Sequence, residues 1–183
     1  SIAALLVTSW LGCGPSDDSA TEQAEADTPY GNATEVSAYL TALQPNVQRV
    51  SELQREYEQA LSSAAQDATS RRGTGRNLAT KAEQVRPQLV AVLDQIDAIQ
   101  PPALLAPFHR DTKKMVVARL EAYAKTMEGW EVEQAGGDFE AVYREAEQRL
   151  QEANALIRQL SERFDKISSA LQQAEAAAAT SSS

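Results

Sequence analysis

The sequence predicts an all-α protein: an antiparallel four-helix bundle of up-down-up-down topology, with heptad packing like that of a coiled coil. Only 5% of the 183 residues are aromatic, and alanine, glutamine, glutamate and leucine are abundant. Apolar residues recur at spacings of four and three through four long segments, and no run alternates as a half-buried strand would. Short turn signals separate the segments, which is the arrangement that an antiparallel bundle needs.

The first predicted helix begins at Asn32, a typical N-cap residue, with Glu35 placed to complete a capping box. Pro45 lies inside this helix, but the apolar spacing keeps its phase, so the pattern allows either a kink or a brief break. We expect the helix to end at residues 71–76, where arginines suit the C-terminal end of the helix dipole and glycines suit a left-handed cap. Its predicted core positions are Val36, Leu40, Leu43, Val47, Val50, Gln54, Tyr57, Leu61 and Ala64.

Three further helices follow. The second runs from Leu78 to Ile99, contains Pro87 and stops at Pro101. The third begins with Pro107 in its first position, which proline favours, and ends at Gly136. The fourth follows Asp138 as its cap. The predicted core positions are Leu78, Ala82, Val85, Leu89, Val92, Ile96 and Ile99; Val116, Leu120, Tyr123, Met127 and Trp130, with Phe108, Thr112 and Met115 beside them; and Phe139, Tyr143, Ala146, Leu150, Ala153, Ile157, Leu160, Phe164, Ile167, Leu171 and Ala174.

The predicted helices differ in length. At 1.5 Å per residue the second spans about 33 Å and the fourth about 54 Å. In an up-down-up-down bundle the excess of the fourth lies beside the start of the first. We therefore expect residues 36–43 to pair with residues 164–174 as a two-helix extension. The bundle would cover residues 32–174, and the alanine and serine residues 175–183 would form a disordered tail.

Residues 1–12 are uncharged and precede Cys13, the only cysteine. An apolar run this short cannot span a bilayer as a helix, which takes about 20 residues, but it has the length of a signal-peptide core, about 7 to 15 residues. Leu11-Gly12-Cys13 resembles the lipobox of bacterial lipoproteins, in which a small residue precedes the cysteine that is lipidated and becomes the mature N-terminus. The resemblance implies that residues 1–12 are a signal peptide, clipped at its start, and that Cys13 is the lipidation site.

The alternative, a free cysteine buried on an apolar first helix, is disfavoured because Gly12, Gly14 and Pro15 would break that helix. Residues 13–31 are small, acidic and nearly free of aliphatic side chains, which predicts a lipidated cysteine followed by a flexible tether with a reach of about 25 Å. The resemblance further implies a location in the cell envelope, anchored to a membrane by lipid. In a Gram-negative organism, Gly14 after the cysteine favours the outer membrane, facing the periplasm.

Composition and motifs exclude several kinds of function. With 17 basic and 26 acidic residues the formal net charge is −9, which disfavours nucleic-acid binding. The single histidine, His109, cannot build the paired histidine sites of di-iron or zinc proteins. A haem held by histidine and methionine is disfavoured because Met115 and Met127 lie on the helix of His109. We predict no catalytic residues, no metal and no cofactor.

Two candidate binding sites remain. Arg71, Arg72 and Arg76 form the only basic cluster, which suggests a contact for an anionic lipid, glycan or protein, unless the arginines only compensate the helix dipole. A cavity lined by Phe108, His109, Tyr123 and Trp130 would suit a hydrophobic or haem-like ligand. The first function predicted is a non-catalytic envelope lipoprotein whose bundle binds another protein or an envelope component. The alternative is a carrier of a small ligand between its helices.

Overall fold

The computed structural model of the protein describes residues 27–66 and 71–181 and confirms an all-α fold of four helices that pack against one another. Within those residues, no helix combines the length and the apolar content that crossing a membrane requires. A two-stranded hairpin precedes the helices, and a short 3₁₀ turn lies between the second and third. The elements are β1 Asp27–Thr28, β2 Gly31–Asn32, α1 Ala33–Gln66, α2 Arg71–Asp97, the 3₁₀ turn Ala103–Leu105, α3 Ala106–Gln134 and α4 Phe139–Ser181.

The hairpin occupies residues that the sequence analysis assigned to the flexible tether. Its strands pair in antiparallel register, with Asp27 opposite Asn32. The Thr28 hydroxyl donates to the Gly31 carbonyl oxygen at 2.8 Å and accepts from the Tyr30 amide at 3.1 Å. Gly31 has a φ of +114°, a conformation that only glycine adopts readily. A side-chain-bonded turn, together with the packing of Tyr30 against the hydrophobic core, therefore orders this segment.

Helix α1 begins as predicted. The Asn32 side chain accepts hydrogen bonds from the amides of Thr34 at 2.9 Å and Glu35 at 3.2 Å. The helix continues through Pro45, and α2 likewise continues through Pro87. Both prolines are exposed, so water can reach the carbonyl groups that lose their backbone partner.

The buried face of α1 differs from its predicted core at alternate positions. The predicted residues Leu40 and Val47 are only half-buried, and Leu61 is exposed. Tyr39 and Asn46 are buried in place of Leu40 and Val47, and Leu53 is buried in place of the predicted Gln54, so that burial again follows spacings of three and four as far as Tyr57. The buried residues of α1 are Val36, Tyr39, Leu43, Asn46, Val50, Leu53 and Tyr57.

The boundary between α1 and α2 lies before the predicted one. Helix α1 ends at Gln66 and α2 begins at Arg71, so Gly73 and Gly75 lie inside α2 rather than in a loop. From Leu78 to Ile96, α2 buries the positions predicted for it, whereas Ile99 lies beyond the end of the helix and is half-buried.

Helix α3 has the predicted ends. A proline occupies its first turn, and the chain leaves the helix through Gly136 at a φ of +74°. Gly137 donates its amide to the Val132 carbonyl oxygen at 2.9 Å, which closes the last turn. Among its predicted core residues, Val116 and Tyr123 are fully buried, and the others on the main stripe are half-buried.

Helix α4 is longer than predicted, because residues 175–181, which we expected to be disordered, are helical. Alanine has the highest helix propensity, so this segment can extend an existing helix without burying a face. Along α4 the sides that face the core carry Ala146, Ala153, Leu160, Ile167 and Leu171, whereas Phe164 is 40% exposed.

Side-chain contacts fix which parts of the helices lie at the same level. The Tyr39 hydroxyl lies 3.2 Å from Nδ1 of His109, near the start of α3. The predicted two-helix extension, in which residues 36–43 pair with residues 164–174, is therefore wrong at the level of Tyr39, because α3 reaches that level. The N-terminal hairpin packs on α4 beyond the level of Tyr39. A surface depression between Tyr30 of the hairpin and residues 165–173 of α4 lies at this contact.

Candidate functional site

The predicted lipidation site, Cys13, lies outside the described residues, as do residues 1–12. Of the basic cluster, Arg71 and Arg72 are placed at the start of α2, where the helix dipole is positive, and not at the end of α1, where it would be negative. Dipole compensation therefore cannot explain these two arginines. The side chain of Arg76 is exposed.

The four residues proposed to line one cavity are not brought together. Phe108, His109 and Tyr123 are buried and Trp130 is half-buried. All four lie on α3, and from Phe108 to Trp130 the helix rises about 33 Å, so Tyr123 and Trp130 lie at other levels of the core than Phe108 and His109. Two surface depressions stand out in the described part of the chain, and neither is lined by any of the four.

His109 belongs to the core contacts of α1 with α3. Burial lowers the pKa of its imidazole, and the charge of Lys113 lowers it further, while Asp97 acts in the opposite direction. A neutral imidazole can accept a hydrogen bond from the Tyr39 hydroxyl through Nδ1, whereas a protonated one cannot. The geometry is that of a hydrogen-bonded core histidine.

The most unusual group in the interior is Arg119, on α3, which is only 2% exposed. Its Nη2 donates to Oε1 of Gln54 on α1 at 2.6 Å and to Oδ1 of Asn154 on α4 at 2.9 Å. One guanidinium thus connects three helices. Both acceptors are neutral amides, so the charge of Arg119 has no direct counterion in these two contacts.

Gln54 links Arg119 to a carboxylate indirectly. Its Nε2 donates to Oε1 of Glu58, one turn further along α1, at 2.6 Å. The carboxylate can only accept and the guanidinium can only donate, so these two neighbours fix which end of the Gln54 amide faces inward. The carboxylate of Glu58 itself lies at the surface.

Tyr123 lies one turn after Arg119 on the same face of α3. Its ring stacks obliquely on Tyr57 of α1, with ring centroids 4.4 Å apart, and the Tyr57 hydroxyl is 2.9 Å from Oγ1 of Thr126. The Tyr123 hydroxyl and Nε of Arg119 are both buried, and neither makes a hydrogen bond of normal length and angle, although the hydroxyl lies close enough to Arg119 for a weak one. Burial raises the pKa of Tyr123 to about 12, although the nearby Arg119 charge acts to lower it.

A second close-packed group lies where α2 begins and α3 ends. Tyr143 of α4 packs against Gly75 of α2 and Gly129 of α3, and its hydroxyl donates to Oε2 of Glu133 at 3.1 Å. Burial first, and then this hydrogen bond, raise the pKa of Tyr143. The glycines therefore allow close packing, and Gly75 is not a helix breaker.

The outer seam between α3 and α4 is lined by ion pairs. Lys125 is 2.9 Å from Glu145, and Nε of Arg149 is 3.1 Å from Oε2 of Glu121. These residues line an open depression of about 530 Å³. Solvent screens exposed pairs of this kind, so they contribute little to stability and the seam is a solvated face. Among residues 27–66 and 71–181, no group of three or more His, Cys, Asp and Glu side chains is placed to hold a metal ion.

Arg119 is not among the residues that the sequence predicts for a site. A signal for it exists, because Arg119 lies three residues after Val116 and four before Tyr123, on the face that α3 buries. Arginine is rarely fully buried unless it is paired, and the apolar pattern was therefore traced through Leu120 instead. Comparison of the chain with protein-family models, with curated proteins and with solved structures gave no significant match.

Proposed function

We propose that the protein is a lipid-anchored, non-catalytic helical bundle of a bacterial cell envelope, which binds another envelope component. The observation that carries the proposal is Leu11-Gly12-Cys13, which follows an uncharged segment of signal-peptide length. Acyl chains on Cys13 hold the chain at a membrane, and in a Gram-negative cell this is the outer membrane, with the bundle in the periplasm.

The hairpin shortens the proposed tether. Only residues 14–26 separate Cys13 from the first described strand, which corresponds to a typical reach of about 20 Å for a flexible segment. The hairpin packs on residues 165–173 of α4, so the chain leaves the bundle at that end. This end faces the membrane, and the start of α2, with Arg71, Arg72 and Arg76, faces away from it.

The four helices run up, down, up and down, with left-handed heptad packing. The order of cross-helix contacts supports this topology. Between α1 and α2, Arg49 contacts Gln88 and Glu56 contacts Lys81. Residue numbers therefore increase along α1 where they decrease along α2, as in antiparallel helices. The pairs Asp111–Arg163 and Lys125–Glu145 have the same opposed order between α3 and α4. Burial at spacings of three and four along α1 and α2 supports heptad packing. Beyond the level of Tyr39, α1 and α4 form the two-helix extension.

The partner is an envelope protein, lipid or glycan, and the exposed Arg76, with Arg71 and Arg72 beside it in the chain, is its candidate anionic contact. An arginine cluster suits phosphate and carboxylate groups because each guanidinium can donate two parallel hydrogen bonds. Replacing the three arginines with glutamine should reduce co-purification of the partner from native membranes without changing the far-ultraviolet circular dichroism. Equal recovery of the partner would remove the arginines from the interface.

The anchor is tested by replacing Cys13 with serine, with Ser16→Ala as a matched control near the same site. We expect the unmodified protein and the control to partition with membranes and to begin at an acylated Cys13 by mass spectrometry. The Cys13→Ser protein should keep residues 1–12 and carry no acyl chain. An unmodified thiol on Cys13, with residues 1–12 still attached in the native protein, would refute the anchor.

A carrier of a small ligand remains the second candidate function. The proposed cavity at Phe108, His109, Tyr123 and Trp130 is not supported, because these residues lie at different levels of α3. Arg119 favours this function instead, since it is a buried cation whose two hydrogen-bond acceptors, Gln54 and Asn154, are neutral amides.

A further inference from the structure

Charged residues are distributed unevenly along the bundle. Residues 138–152 of α4, which lie beside the start of α2, contain seven charged residues. Residues 167–181, a segment of equal length near the other end of the same helix, contain only Glu175. One end of α4 is therefore strongly charged, and the other end is nearly free of charge.

Other chain segments that are poor in charge meet α4 at this second end. The Tyr39 hydroxyl lies 3.2 Å from Nδ1 of His109, which places the start of α1 beside the start of α3. The ion pair of Asp111 with Arg163, at 2.6 Å, places the later part of α4 at a similar level. We call this end of the bundle the tether end, and it is formed by residues 27–40, 98–108 and 167–181. Its charged residues are Asp27, Glu35 and Glu175, all of them acidic.

The tether end also presents an apolar side chain to solvent. Leu104, in the 3₁₀ turn between α2 and α3, is 61% exposed. The next residue, Leu105, is 1% exposed and packs in the core, and its amide donates to the Pro102 carbonyl oxygen at 2.9 Å. Prolines at positions 101, 102 and 107 restrict the backbone of this turn further. Because the turn is rigid, Leu104 loses little conformational entropy when it binds a partner.

The chain that precedes the helices arrives at the same end. Residues 14–26 separate Cys13 from the hairpin, and the hairpin packs on α4 at residues 165–173. Under the proposed function, acyl chains on Cys13 hold the tether end within about 20 Å of a bilayer. The effective concentration across a short flexible linker is on the order of millimolar, so a contact too weak to hold an untethered chain is populated.

We propose that the tether end lies against the lipid surface and that Leu104 enters the interfacial region of the bilayer. This contact rests on the proposed lipid anchor. Charged groups are costly to move out of water, and the few at this end are acidic, so the surface suits zwitterionic rather than anionic lipid. Helix α4 continues from Leu171 to Ser181, a further rise of about 15 Å. The helix axes are therefore inclined to the membrane normal, so that Leu104 and the last turns of α4 reach the surface together.

The test uses the full chain with Trp10→Phe and Trp130→Phe, so that an introduced tryptophan is the only one. Leu104→Trp places an indole on the turn. Leu61→Trp is the matched control, at a leucine that is 43% exposed near the other end of α1. Cys13, the only cysteine, is coupled to a maleimide phospholipid in phosphatidylcholine vesicles, so the test does not depend on acylation in the cell.

Lipid brominated near its head group should quench the indole at position 104, whose emission should also shift to shorter wavelength, and should leave the indole at position 61 unchanged. A charge beside the indole tests whether it enters lipid. In the Leu104→Trp protein, Ala103→Asp at an exposed position should abolish the quenching, because a carboxylate resists leaving water, whereas Ala103→Gln should retain it.

The proposal is overturned if position 104 is not quenched or if positions 104 and 61 are quenched equally. It is also overturned if the emission at position 104 shifts without vesicles and the shift grows with protein concentration, since a second copy of the chain would then cover this end. An unacylated Cys13 in the native protein refutes the anchor, whereas absent quenching in the coupled protein refutes the lipid contact, so the two failures are distinguishable.

Discussion

The ring of Tyr143 occupies the space that Gly129 leaves by having no side chain. A Cβ atom at position 129 would lie 2.6 Å from Cε1 of Tyr143 and 2.7 Å from its Cδ1. Neither atom is the end of a flexible side chain, so the ring as a whole would have to move. The contact ties α4 to α3 immediately after the turn that joins them.

Gly129→Ala should therefore destabilise the protein. Helix propensity alone predicts a gain of about 0.5 to 1 kcal/mol for alanine in a helix interior, whereas overpacking of a filled site costs about 1 to 3 kcal/mol. We expect the steric cost to prevail, and urea unfolding followed by circular dichroism would measure the net loss. In a Tyr143→Ala background the same substitution should be neutral or stabilising. A net gain in the unmodified background would contradict the packing of Tyr143.

The apolar pattern located the helices better than it located their faces. In α2 the predicted stripe from Leu78 to Ile96 is the buried one. In α1 the apolar pattern predicts that Leu40 and Val47 are core residues, but the buried residues at these turns are Tyr39 and Asn46. Hydropathy favours the aliphatic residue of each adjacent pair, whereas the position of the neighbouring helix decides which of the two is covered. That position is not encoded within α1 alone.

The candidate site was harder to predict than the fold. Arg119 interrupts the buried face of α3 as a charged residue, and only its hydrogen bonds to Gln54 and Asn154 explain its burial. Those partners lie on two other helices, 65 and 35 positions away in the chain. The prediction that Gly75 ends a helix is also wrong, because the close approach of Tyr143 requires a glycine inside α2. No local sequence pattern distinguishes a glycine that allows close packing from one that ends a helix.

Replacing Asn32, which caps the start of α1, should measurably lower the stability of the protein. Asn32→Ala removes the acceptor of two backbone amides, and we expect it to lower the free energy of unfolding by about 1 kcal/mol. Asn32→Asp keeps the acceptor and adds a negative charge at the positive end of the helix dipole, so its stability should equal or exceed that of the unmodified protein. Equal losses in both variants would show that the cap does not stabilise the helix.

His109 should make the stability depend on pH near neutrality. Burial lowers the pKa of the folded imidazole from its ordinary value of 6.5, so below that value the unfolded chain binds a proton that the folded chain resists. The free energy of unfolding should therefore fall as the pH decreases from about 7 to about 5, by less than about 1.4 kcal/mol per pH unit.

His109 is the only histidine of the chain, so no other imidazole titrates in this pH range. The ion-paired Asp111 also titrates, but its pKa is lowered: burial acts to raise it, and the hydrogen bond and charge of Arg163 outweigh that effect. Its contribution is lost only at pH values below the ordinary 3.8, outside the window. His109→Gln should flatten the profile between pH 5 and 7. An unchanged slope, or an imidazole pKa above 6.5 by nuclear magnetic resonance, would contradict the assignment.

Phe164 and Ile167, one turn apart on α4, test which side of this helix faces the core. The apolar pattern assigns both Phe164 and Ile167 to the core, but Phe164 is 40% exposed and Ile167 is 1% exposed. Ile167→Ala should lower the free energy of unfolding by about 2 to 5 kcal/mol, because it removes buried methyl groups and leaves a cavity. Phe164→Ala should cost less, about 1 to 2 kcal/mol, since 40% of the side chain already contacts water. A loss at Phe164 as large as that at Ile167, and increasing with protein concentration, would mean that a second copy of the chain covers this face in solution.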